Sequence, residues 1–356
     1  MPSLDFRRYA LFVLGPIVTV SVLCLLFAAW LEPVRHDLTR LGGYTERDFG
    51  WNSPQLAFKP PIVPISVPGQ AYDVVVIGDS FSTSMFIAPG APRTDDGFWT
   101  DIFAQRTGLT VGAFHRDLLS AEDYLASAVF HAAPPRLLII EIVERELDEI
   151  RSAGARCPAP SSGRAFHLDS VPLNRTPVPH GRDTSAPFNA VRIDTAIDVL
   201  AKHTVRWLTG SDWTDVLQLP LSRHDLFSNR RSDRLLIYKQ DRRKARISSV
   251  QEFELGCYLR TLQSNAEANG YTSFLLMIVP DKSTAYADYT QAPALPNMVE
   301  RLARDPALRA LRLDIVIKCA VALGQKDIYL PDDTHWGWAG KQIAADALIQ
   351  HFSVTP

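Results

Sequence analysis

Three short and almost wholly apolar runs constrain this chain more than any other feature. They are Tyr72-Asp73-Val74-Val75-Val76-Ile77, Arg136-Leu137-Leu138-Ile139-Ile140-Glu141-Ile142-Val143 and Thr272-Ser273-Phe274-Leu275-Leu276-Met277-Ile278-Val279. A strand with one face in water alternates polar and apolar residues, so continuous runs of this length mark strands covered on both faces. Such strands belong to parallel sheets. Helical spacing at about 97–108 and 120–132 lies between the first two runs, and strand-helix-strand order predicts right-handed crossovers in an α/β fold with a central, mostly parallel sheet. The 356 residues, 46% apolar and 21% charged, suffice for one large core, placed at about 71–353.

Ahead of the core, Ala10 to Trp30 contains no charged residue and is long enough to cross a bilayer as a helix, so residues 1–31 read as a short cytoplasmic end and a transmembrane anchor. Arg7 and Arg8 precede the run and Glu32 follows it, which puts everything after Leu31 outside the cytoplasm. The expected location is a bacterial inner membrane, crossed once, with the folded part in the periplasm. A cleaved signal peptide is the alternative, but the run exceeds a usual signal core and no small-x-small site precedes Glu32. Residues 32–70 hold five prolines from Pro54 to Pro68 and read as a linker packed along the surface. Residues 151–245, rich in Pro, Ser and Arg and helically periodic only from Ala190 to Leu208, read as an insertion. The basic cluster that closes it, Arg230 to Arg246 interleaved with Asp233 and Asp241, reads as a solvated face or as a contact for an anionic polymer.

Several classes fall away on composition. A formal charge of −2 gives no footprint for nucleic acid. No cysteine or histidine spacing suggests zinc, and no metal or cofactor is expected. Cys24 lies in the apolar run, while Cys157, Cys257 and Cys319 allow one disulfide whose pairing spacing does not choose.

The chemistry concentrates at two places. Ser80 follows the first buried strand and Gly78, so a tight turn presents its hydroxyl at the carboxyl end of the sheet, close to backbone N–H groups that can stabilise an oxyanion. Asp79 can fix that turn through its side chain. Far along the chain stands Tyr329-Leu330-Pro331-Asp332-Asp333-Thr334-His335-Trp336. Serine is a weak nucleophile until an imidazole accepts its proton, and a carboxylate must orient that imidazole. His335 supplies the base, with Asp333 two residues before it or Asp332 three before it as the acid.

Gly78-Asp79-Ser80-Phe81-Ser82 with the late Asp-x-His resembles the SGNH hydrolase superfamily. Together with Val143-Glu144-Arg145-Glu146-Leu147, Val279-Pro280-Asp281-Lys282 and Asp333-Thr334-His335-Trp336, it is similar over about 46–350 to the alginate O-acetyltransferase (AlgX/AlgJ-like) family. The resemblance implies a three-layer α/β/α fold and a triad of Ser80, His335 and Asp333, with Asp332 as the alternative acid. It also implies acetyl transfer to a secreted polysaccharide from a membrane-bound O-acyltransferase partner. Asp79, Gly112, Arg145, Lys282 and Trp336 are further candidates for oxyanion or substrate contact. Glu144-Arg145 stands where the superfamily has its Asn block, and for Arg145 a structural ion pair is the other reading. For Lys282 the other reading is a surface lysine. The serine motif comes first here, the reverse of the alginate enzymes, so alginate itself does not carry over. A carbohydrate acetylesterase with the same triad, or a non-catalytic protein of polysaccharide export, are the two other readings.

Overall fold

The computed structural model describes residues 6–32, 36–84, 97–150, 152, 154–159, 166–168, 171–182, 193–211 and 213–354. The chain opens with α1 (Phe6–Leu31), the one helix among the described residues long and apolar enough to cross a membrane. Two short helices, α2 (Asp37–Gly42) and α3 (Glu46–Phe49), and the strand β1 (Gln55–Ala57) follow. The core then runs β2 (Val74–Gly78), α4 (Trp99–Thr107), β3 (Val111–His115), α5 (Ala121–Leu125), α6 (Ala128–Ala132) and β4 (Leu137–Val143). After a 3-10 turn at Glu144–Glu149 come β5 (Val178–His180), α7 (Ile193–Thr209), β6 (Val216–Pro220) and β7 (Arg234–Tyr238). A second 3-10 turn, Lys239–Arg246, leads to α8 (Ser249–Glu267), β8 (Ser273–Val279), α9 (Lys282–Ala285), α10 (Met298–Leu302), β9 (Ala310–Leu311), α11 (Leu313–Ala322) and α12 (Trp338–Val354).

All three apolar runs are strands of one sheet. Its order is β3-β2-β4-β8-β9 and every pairing is parallel. Counted 1 to 5 along the chain, the strands lie in the order 2-1-3-4-5, a doubly wound arrangement whose switch point falls between β2 and β4. The β2 side chains alternate between two cores. Val74 and Val76 pack with α4, α11 and α12, whereas Val75 and Ile77 pack with α5, α6, α8 and α10. Helices therefore cover both faces, which is why the strands read as unbroken apolar runs.

Outside the sheet the sequence expectations need revision. Residues 36–70 of the expected linker are built into the fold: Leu38, Tyr44 and Phe49 form a separate core with Val216 and Leu236, and β1 pairs antiparallel with β5. The helical spacing at 120–132 resolves into α5 and α6 because Ser127 caps a new helix, its hydroxyl accepting from the Phe130 amide. Of the 190–208 periodicity, residues 190–192 lie outside the described residues, as do 151, 153, 160–165, 169–170, 183–189 and 212 of the insertion.

Half of the basic cluster is spent on ion pairs within the chain. Arg231 and Arg234 meet Asp233, Arg243 meets Glu149, and Lys244 is wholly buried against Glu144 and Asp281. Among the cysteines, Cys157 bonds to Cys257, leaving Cys24 and Cys319 as free thiols. That bridge closes a span of 100 residues and pins the insertion to α8. In the chain-entropy picture a loop of this size contributes about 3–5 kcal/mol. Replacing both cysteines (C157S/C257S) is expected to lower the unfolding free energy by that order, read by denaturant titration, and an unchanged midpoint would refute it.

Candidate active site

Ser80 sits in the turn after β2, at the carboxyl edge of the sheet and beside the switch point, where doubly wound sheets bind ligands. Asp79 shapes this turn: its Oδ1 accepts from the Phe81 amide at 2.9 Å and its Oδ2 from the Val143 amide at 3.1 Å. One short side chain thus ties the serine to the end of the neighbouring strand. Beneath it lies Glu141, wholly buried, whose Oε2 accepts from the Asp79 amide at 3.3 Å and from the Ser82 hydroxyl. Val76 and Ile77 pair with Ile139 and Ile140, so Gly78 comes level with Glu141. A Cβ on Gly78 would strike that carboxylate and the Ser82 hydroxyl, which is why glycine is needed here. Burial above all, then the charge of Asp79, raises the Glu141 carboxyl well above its ordinary range, which favours its neutral form.

His335 arrives from the loop before α12. Its Nε2 lies 2.7 Å from Ser80 Oγ and its Nδ1 2.6 Å from Asp333 Oδ1. Asp333 Oδ1 also accepts from the His335 backbone amide at 3.0 Å, which fixes the carboxylate to the residue it orients. Burial pulls the His335 pKa down, but Asp333 outweighs it by charge and hydrogen bond, so the net shift is upward. Burial likewise opposes ionisation of Asp333, yet the facing imidazole holds its carboxyl far below the usual range. An ionised Asp333 keeps the proton on Nδ1 and leaves Nε2 to accept one from serine. Ser80 itself is exposed, and its amide has no hydrogen-bond partner among the described residues, so that N–H can receive an oxyanion.

The loop carrying His335 is braced on two sides. Lys282 donates to the carbonyls of Leu330 at 2.9 Å, Pro331 at 3.3 Å and Asp333 at 3.0 Å. From the other side the first amides of α2, at Leu38 and Thr39, donate to the Asp332 carbonyl at 3.0 and 3.3 Å. The Asp332 side chain turns away from the triad to His36, with Oδ2 3.1 Å from Nδ1, and Glu46 joins that pair at 3.5 Å. Burial chiefly, and then Glu46, pushes Asp332 up to about 7, while His36 is held well above its ordinary value because its two carboxylate neighbours outweigh burial.

The candidates therefore separate. Ser80, His335, Asp333, Asp79 and Trp336 meet at one cavity of about 540 Å³, Trp336 packing edge-on against Phe81 with centroids 4.9 Å apart. Asp332 is not the orienting acid, because His36 holds it. Gly112 lies in mid-strand, paired with Val75 and facing the Tyr72 ring, too deep in β3 to serve an oxyanion. Arg145 is buried with Asp281 at 3.1 Å, the structural ion pair, and is no free donor. Lys282 is neither a surface lysine nor a substrate contact, since its ammonium is spent on the loop carbonyls.

Sequence reasoning missed His36, Asp37, His115, Arg116 and Glu146, all at or beside the cavity, with Asp37 3.9 Å from His335 Nδ1. Arg116 and Glu146 pair across the cavity wall. It also missed Glu141, whose signal was visible: one carboxylate inside a seven-residue buried strand is costly unless neutral or partnered. Two clusters have the chemistry to ligate a cation, His36/Glu46/Asp332 and Asp37/Asp333/His335. In the first, His36 Nδ1 faces both carboxylates, at 3.1 Å from Asp332 and 3.5 Å from Glu46; in the second, Nδ1 is committed to Asp333. Compared with protein-family models, with curated proteins and with solved structures, the chain matches none.

Two substitutions test the site. Asp333→Asn should cut ester turnover by about 10³–10⁴-fold, the loss expected when the imidazole takes the wrong tautomer. It should also move the acid limb of the pH-rate profile to lower pH, because His335 must be neutral to act and Asp333 is what raises its pKa. Glu141→Gln should leave turnover and melting temperature nearly unchanged, since the amide oxygen can still accept both hydrogen bonds and burial already disfavours the charged carboxylate. A large loss would mean that the charge is required.

Proposed function

We infer that this protein is a serine-dependent O-acyltransferase, anchored by α1 with its catalytic domain in the periplasm, that moves acetyl groups onto a secreted polysaccharide. The observation carrying this reading is the Ser80–His335–Asp333 relay, 2.7 Å and 2.6 Å across its two links, at the mouth of the cavity. The 2-1-3-4-5 sheet with its nucleophile after the first strand supports an SGNH-type fold and, through the quoted motifs, a relation to the alginate O-acetyltransferases. The Cys157–Cys257 bond supports an oxidising compartment, in agreement with the charges flanking α1.

In the proposed reaction His335 Nε2 takes the Ser80 hydroxyl proton as Oγ attacks the acetyl carbonyl of the donor. The oxyanion rests on the Ser80 amide, the donor's leaving oxygen departs with the proton from His335, and acetyl-Ser80 remains. A sugar hydroxyl then gives its proton to His335 and attacks that ester. The acetyl group leaves on the sugar, and Ser80 Oγ recovers the proton. The donor on this reading is a membrane-bound O-acyltransferase partner. A hydrolase would run the same steps with water as acceptor.

The test uses the full chain in detergent with an acetyl nitrophenyl ester, with and without oligosaccharides. Acetylated sugar, and an acetyl increment on the peptide containing Ser80, are expected, and both should vanish in Ser80→Ala. Hydrolysis without acetylated sugar would replace the transferase by a carbohydrate esterase. No turnover and no acylated Ser80 would leave a non-catalytic export protein.

A further inference from the structure

α7 is amphipathic in a way the fold does not use up. One side is docked on the segment that follows α1. Val199 is buried, Lys202 donates to the Arg40 carbonyl at 3.2 Å, and Arg206 reaches the carbonyls of Gly42 and Gly43 with its guanidinium 4.0 Å from the centre of the Tyr44 ring. The other side carries Ile197, Leu200, Trp207 and Leu208 at helical spacing, and Trp213 follows just past the helix. These are not grazing exposures: Trp207 is 77%, Leu208 68% and Trp213 55% accessible. A contiguous apolar face of this kind marks a contact surface.

Its position says which contact. His203, one turn before Trp207 on the same side of the helix, meets Trp30 edge-on with ring centroids 6.0 Å apart. Trp30 closes the uncharged run of α1, so if α1 spans a bilayer the boundary between hydrocarbon and water lies at that residue. The stripe on α7 runs past that point, with Ile197 and Leu200 before His203 and Trp207 and Leu208 after it. Tryptophan and leucine on one face, with polar side chains on the other, is the composition of a helix lying in the headgroup region.

We propose that α7, with Trp213, lies in the outer interface of the same membrane that α1 crosses, so that the catalytic domain is held against the lipid at two places. The proposal rests on α1 spanning the bilayer. A polarity-sensitive fluorophore is placed on full-length protein at L208C, at L323C as an exposed control on the far end of α11, and at V18C within α1, all in a C24A/C319A background. Each protein is reconstituted into phosphatidylcholine vesicles with nitroxide-bearing lipid, the nitroxide either near the headgroup or deep in the chains. The expected result is a blue shift at 208 with quenching by the shallow nitroxide, quenching at 18 by the deep one, and water-like, unquenched emission at 323. A water-like signal at 208 beside deep quenching at 18 would overturn the docking while leaving the span intact. An unquenched label at 18 would remove the span itself, and with it the proposal. A blue shift at 208 without lipid quenching would mean that protein covers α7, which also overturns it.

Discussion

The loop from Leu330 to Asp333 owes its shape to one buried ammonium. Lys282 supplies three hydrogen bonds to backbone carbonyls that no regular structure satisfies, and burial pushes its pKa down to about 8 even with Asp332 and Asp333 nearby. The Leu330 carbonyl also accepts from the Asp333 amide, but those of Pro331 and Asp333 have no other backbone donor among the described residues. With α2 holding the Asp332 carbonyl from outside, an irregular segment becomes as fixed as a strand. His335 is thereby held within hydrogen-bond reach of Ser80.

Lys282 is itself held in place by a second set of buried charges at the ends of β4 and β8. Glu144 accepts from Lys244 at 2.8 Å, from the Thr284 hydroxyl at 2.5 Å and from the amides of Asp281 and Met298. Asp281 in turn meets Arg145 and Lys244. Such a network adds little against an apolar core of equal volume, but removing one member strands its partners in low dielectric. It serves to position: it welds the turn after β4, which lines the cavity through Glu146 and Glu149, to the turn after β8, whose Lys282 holds the histidine loop.

What could be read from the sequence was what local patterning encodes. The three strands, the parallel order and the Ser80 turn all follow from runs of neighbouring residues, and the Asp333–His335 pair lies two positions apart on one loop. What escaped was set by distance along the chain. Nothing local distinguishes Lys282, which faces loop carbonyls some fifty residues away, from a surface lysine at the same strand end. His36 and Asp37 sat in a proline-bearing stretch that reads as a linker, because their partners, Asp332 and His335, lie at the other end of the protein. Gly112 is a candidate only through the resemblance, and the register that sets it against Val75 shows it to be too deep.

The contact between α2 and the histidine loop joins residues almost three hundred positions apart, Thr334 meeting Asp37 across 297. During synthesis the segment after α1 emerges first and the histidine loop nearly last. The sheet up to β4 can therefore assemble while the brace has nothing to brace. The relay forms only once both segments have been made and have met, so a chain stalled between them carries an exposed serine with no imidazole beside it.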